Sequence, residues 1–142
     1  VNCMNISLAH EYHGVSLMRA YLGIRPDENF KVSGKMYEFP TTETLTRYEQ
    51  FTDGRIANKK RCVAAFEYDC GKTAWYDFDS EQYRSPIRKN TVKVQGIRGE
   101  MIDDRIYYLD KNNKGQADQI INRFSYYPGR IIRIQICQKF MR

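Results

Sequence analysis

Arg61-Cys62-Val63-Ala64-Ala65-Phe66-Glu67-Tyr68-Asp69-Cys70-Gly71-Lys72-Thr73-Ala74-Trp75-Tyr76-Asp77-Phe78 is two strands and a turn. Cys62, Ala64, Phe66 and Tyr68 fall on one face of an extended chain, and Val63, Ala65, Glu67 and Asp69 on the other. Asp69 to Lys72 forms a hairpin turn, with Gly71 where a residue without Cβ takes φ > 0 freely. Thr73 to Phe78 returns with Ala74, Tyr76 and Phe78 on the face opposite Trp75 and Asp77.

The β pattern extends outward from this hairpin. Downstream, beyond a connector over Asp79 to Lys89, Thr91 to Ile97 is a strand with Val92 and Val94 inward. Gly96-Ile97-Arg98-Gly99 is a tight reversal, and Met101 to Asp110 continues as one or two strands. Upstream, Phe30 to Phe39 alternates, with Phe30, Val32, Gly34 and Met36 on one face, and Pro40 is expected to end it. Val1 to Ala9 is a short strand. Residues 41–60 are polar and read as a surface loop with a short helical turn around Leu45 to Phe51. Lys111 to Gly115 is a loop, Ala117 to Arg123 starts a helix, and Arg130 to Arg142 alternates like a strand. Strands joined by short reversals predict an α+β domain: a largely antiparallel open sheet, in meander order, with helices packed on one face.

One helix signal precedes the sheet. Val15, Met18 and Leu22 recur at i, i+3 and i+7, with Leu17 and Tyr21 beside them. Gly23 supplies a left-handed stop, and Pro26 follows. Both histidines of the chain, His10 and His13, therefore sit at or just before a helix N-terminus. Unpaired backbone N–H groups there disfavour a charged imidazolium, so a neutral ring is placed to take a proton from a hydroxyl. The same residues equally serve to cap or pack beside the helix. His10, Glu11 and His13 are metal-binding in type, but positions so close on a helix point in different directions, and no metal site is expected.

The 142 residues suit a single domain, 1–142, and 42% hydrophobic with 28% charged residues excludes wholesale disorder. The net charge of +6 permits an anionic partner. The Lys and Arg are scattered, however, with Lys59-Lys60-Arg61 the densest cluster, so nucleic acid is not the expected ligand. The cysteines Cys3, Cys62, Cys70 and Cys137 contain no CxxC pair, which predicts reduced thiols and a cytoplasmic location. No apolar run reaches the ~18–20 residues of a membrane span, and no signal peptide is visible. Val rather than Met opens the chain, so a preceding segment is expected.

His13 to Gly23, followed in order by Val32-Ser33-Gly34-Lys35, Val63 to Gly71, Tyr76 to Asp79 and Val94-Gln95-Gly96-Ile97-Arg98-Gly99-Glu100-Met101, resembles the C-terminal domain of the glucose–fructose oxidoreductase, inositol dehydrogenase and MocA family of NAD(P)-dependent oxidoreductases. The resemblance covers about residues 8 to 110. It includes Gln82-Tyr83-Arg84-Ser85-Pro86-Ile87-Arg88, a segment found in one subgroup, whereas the tail from 120 to 142 departs from the pattern. It implies His13 as the catalytic acid/base and His10 as a substrate-binding or orienting residue. Tyr83, Arg84 and Arg88 are further substrate contacts on this view, although arginines on a connector are equally surface residues. It also implies a sugar or polyol substrate, and a homo-oligomer through the open sheet face where Trp75, Val63 and Ala65 lie beside Glu67 and Asp77.

NAD or NADP would belong to a separate Rossmann domain. No G-x-G-x-x-G occurs in this chain, and Gly96 and Gly99 lie between strands, where no helix N-terminus meets a phosphate. On this view the chain binds no cofactor and is inactive alone. The family's Asp four residues before the His is Ala9 here, and its acidic residue three after is Ser16. A non-catalytic oligomerisation or ligand-binding module descended from such an enzyme is therefore the alternative. A basic nucleic-acid-binding β protein is a second.

Overall fold

Met4 and Ile6 are completely buried, and their strand lies in the middle of the molecule. A computed structural model describes residues 1–44, 48–80 and 89–119. β1 (Cys3–Ser7) leads into α1 (Glu11–Leu22). There follow β2 (Phe30–Thr42), β3 (Ile56–Tyr68), β4 (Thr73–Asp79), β5 (Thr91–Gly96), β6 (Gly99–Ile102), β7 (Arg105–Leu109) and β8 (Gly115–Gln119). The strands form one open eight-stranded sheet in the order β2-β3-β4-β1-β5-β6-β7-β8. Every pairing is antiparallel except β1 with β4, which is parallel. The class is α+β, as expected, with a single helix among the described residues packed against the sheet.

The topology corrects the expected meander in one respect. β4 and β5 are consecutive strands but not neighbours, because β1 lies between them, pairing Met4 with Ala74 on one side and Val94 on the other. The driving force is apolar: Met4, Ile6, Ala74, Val94, Met101 and Ile106 belong to one buried cluster with Met18 and Leu22 of the helix, each large side chain contributing about 1.5–3 kcal/mol by burial. Asn5 faces the other side and is exposed.

Three boundaries also differ from expectation. Pro40 does not end its strand; it pairs opposite Asn58 within β2. β2 has β3 as its one partner among the described strands, and an edge strand tolerates a residue without N–H. Residues 56–60, expected as loop, open β3. Ala117 lies in strand β8, not in a helix, and that strand is exposed along its whole length. The expected helical turn near Leu45, the connector residues Tyr83, Arg84 and Arg88, and the tail from 120 fall partly or wholly outside the described residues.

The predicted reversals are present. Gly71 has φ 79°, and the Tyr68 N–H donates to the Lys72 carbonyl at 2.9 Å. Gly96 pairs with Gly99 across the Ile97-Arg98 turn. Asp103 turns the chain between β6 and β7, its carboxylate accepting the Val92 N–H at 2.8 Å.

The helix buries Gly14, Met18, Tyr21 and Leu22, while Val15 and Leu17 pack part-buried at its margin. Gly23, at φ 63° and ψ 44°, closes it. Its N–H donates to Ala20 at 3.2 Å and the Ile24 N–H to Arg19 at 2.9 Å, the paired bonds that satisfy terminal carbonyls. Lys72 on the β3–β4 hairpin donates to the Leu22 carbonyl at 2.7 Å, where the helix dipole favours a cation. The far end of the hairpin thus anchors the C-terminus of α1.

Candidate functional site

The site begins where β1 hands the chain to α1. His10 is the N-cap residue, in an extended conformation and without a side-chain cap hydrogen bond. Glu11 follows at φ 43°, a left-handed conformation that a non-glycine residue adopts at a cost on the order of 1 kcal/mol. Its N–H is not left to water: it donates to the Tyr76 hydroxyl at 2.8 Å. His13 lies in the first helical turn.

The two imidazoles meet edge to face with centroids 5.3 Å apart. Tyr12 lies against His13 at 4.0 Å, and His10 approaches Phe78 at 6.2 Å. His13, Glu11 and Tyr12 are exposed and His10 is half-buried, so both rings stand on an accessible rim above the sheet. Among the described residues, no carboxylate hydrogen-bonds the His13 ring; its neighbours are aromatic.

β4 forms the floor. Tyr76 and Phe78 are buried, with their rings 6.4 Å apart. Gly14 rests on the Tyr76 ring so closely that a Cβ there would stand 2.5 Å from Cε2. Burial pushes the Tyr76 hydroxyl above the usual tyrosine range, and the Glu11 N–H it accepts partly offsets this. Burial likewise pushes the Cys62 thiol up, helped by the negative charges of Asp77 and Glu11. The groups under the start of the helix therefore stay protonated at neutral pH. Cys3, Cys62 and Cys70 carry free thiols, and no three His, Cys, Asp or Glu among the described residues are grouped to hold a metal ion.

The structure thus brings His10 and His13 together. Tyr83, Arg84 and Arg88 lie outside the described residues. Neither Tyr76 nor Gly14 stands out in the sequence as a site residue. Alternation places Tyr76 on the inner face, but nothing local shows that its hydroxyl meets the first turn of a helix 65 residues earlier.

The second face of the sheet carries Val63, Ala65 and Trp75 together, as the alternation predicts: Ala65 stands opposite Trp75 and Val63 opposite Asp77. Arg61 closes one side with a two-pronged bond to Asp77 at 2.8 and 2.6 Å. The densest basic cluster is matched residue by residue, Lys59 with Glu43, Lys60 with Glu38 and Arg61 with Asp77. It offers no open stripe for a phosphate backbone. Residues 120–142, with five Lys or Arg and no Asp or Glu, hold most of the +6 net charge. No helix among the described residues is long and apolar enough to cross a membrane.

No protein-family model, curated protein or solved structure matches the chain.

Proposed function

We propose that this chain is the substrate-side and assembly domain of an NAD(P)-dependent sugar or polyol oxidoreductase, with His13 as its acid/base residue. The observation that supports this reading is the exposed His13 ring held edge to face with His10, at the end of the central strand and the start of the helix. An imidazole there exchanges a proton with a substrate hydroxyl, while a second imidazole and the Tyr12 ring offer a polar and an apolar surface to a polyhydroxy compound.

The described residues do not fit a dinucleotide. The β1–α1 junction, Ser7-Leu8-Ala9-His10, has no glycine to admit a pyrophosphate, and Tyr76 already occupies the Glu11 N–H. The cofactor therefore belongs to a separate domain, and no step is assigned to it on this chain. In the same reading, the face carrying Val63, Ala65 and Trp75 pairs with a second copy, because exposed apolar patches of this kind mark partner contacts. A monomeric mass by light scattering at micromolar concentration would count against that pairing.

A second reading, a non-catalytic module of the same descent, is favoured by the lack of a carboxylate hydrogen bond to the His13 ring among the described residues. One assay separates the two. In the full gene product, tested with NAD and NADP against a panel of sugars and polyols, His13→Ala abolishes turnover if the first reading holds. Unchanged turnover in that variant removes it.

A further inference from the structure

Tyr76 lies on β4 beneath the start of the helix, and it holds the turn that presents the two histidines. Three observations converge on it. Its hydroxyl accepts the N–H of Glu11 at 2.8 Å, and Glu11 lies between His10 and His13 in the chain. Glu11 is held at φ 43°, in the left-handed region that a residue with a Cβ avoids unless its surroundings enforce it. The Tyr76 ring meets the next turn at Gly14, where there is no room for a methyl group. The ring is itself clamped, being buried and packed beside Phe78, which in turn meets the His10 ring. The left-handed kink at Glu11 is what lets His10 leave the strand extended and still face His13, which already belongs to the helix.

We infer that Tyr76 is a positioning residue: by accepting the Glu11 N–H it stabilises the left-handed kink that brings the His10 and His13 rings together. This rests on the acid/base reading of His13 for its functional meaning, but the geometry stands apart from it. The hydroxyl supplies a part-buried hydrogen bond to an N–H that has no partner within the helix, and the ring sets the height of the helix above β4. Without the oxygen, Glu11 relaxes toward negative φ and the two imidazoles separate.

The test is Tyr76→Phe, which keeps the ring on Gly14 and removes one atom. In NMR spectra of the protein, the nuclear Overhauser contacts between the His10 and His13 rings are expected to vanish. The Glu11 amide should exchange at least tenfold faster, while the Met18 and Val94 amides keep their protection within twofold. Retained ring contacts with an unchanged Glu11 amide would overturn the proposal. A second variant keeps the test open if Tyr76→Phe loosens the whole fold. Glu11→Gly removes the conformational opposition to positive φ, so the loss of ring contacts on adding Tyr76→Phe should be smaller in that background. An equal loss in both backgrounds would also overturn it. Neither result depends on turnover, so failure of the acid/base reading and failure of this one are told apart.

Discussion

Gly14→Ala places one methyl group where the structure has none to spare. The new Cβ would stand 2.5 Å from Cε2 and 3.0 Å from Cδ2 of Tyr76, and 2.9 Å from the Ala9 carbonyl oxygen. Carbon atoms in contact prefer about 3.5–4.0 Å, so the shortfall is about 1 Å. The Tyr76 ring cannot yield, because it is buried with Ala64 and Phe78 around it. The helix must lift instead, and that movement unseats Met18 and Leu22, which are 0% and 2% exposed. Overpacking of this kind costs about 1–3 kcal/mol, and the Glu11–Tyr76 bond lost with it adds about 1 kcal/mol. Against this, Ala is a better helix former than Gly by about 1 kcal/mol.

The net expectation is a loss of about 2 kcal/mol. In urea denaturation followed by circular dichroism, the midpoint should fall by about 1 M with an unchanged slope, taking a slope of about 2 kcal/mol/M. Ser16→Ala, on the exposed side of the same helix, should move the stability by less than about 0.5 kcal/mol. A Gly14→Ala midpoint equal to or above the wild type would refute the reasoning, since it would mean that the helix does not rest on Tyr76.

Two further outcomes test the fold away from the histidines. The Tyr68 hydroxyl is buried without a hydrogen-bond partner among the described residues, so Tyr68→Phe should raise thermal stability by about 1 kcal/mol; a clear loss would show that the hydroxyl is satisfied. The Lys93 ammonium beside Glu100 holds its carboxyl below the usual range, with Gln95 assisting. A lowered carboxylate value stabilises the fold above the ordinary carboxylate pKa, and that contribution is lost as pH falls through the lowered one. Glu100→Gln should therefore cost about 0.5 kcal/mol at neutral pH and nothing in strong acid, and a difference that does not vary with pH would contradict the pairing.

Much of this architecture is legible where local chemistry and tertiary placement agree. The Asp69 to Lys72 turn needs a positive φ at Gly71 and has it. The Met18, Tyr21 and Leu22 stripe faces the sheet, and Gly23 stops the helix. Legibility fails where placement overrides pattern. Residues 56–60 lie in the half of β3 that pairs with β2 alone, beyond the cover of the helix. Polar Asn58, Lys59 and Lys60 therefore carry no inward-facing signal. β8 is polar because it is exposed throughout, and Ala117 then reads as helix. β1 is five residues long and reads as any short strand; its central position depends on partners distant in sequence. The histidines were visible as candidates, whereas the phenol beneath them is joined to the helix only by the finished fold.

The parallel seam between β1 and β4 has a consequence for how the protein comes together. Without the first strand, the sheet falls into two ribbons, β2-β3-β4 and β5-β6-β7-β8, each closed by neighbouring pairings that form quickly. A single short segment sews the two ribbons into one fabric, and the two imidazoles follow directly behind it in the chain. Displacing that thread would part the two ribbons and move the histidine pair with it.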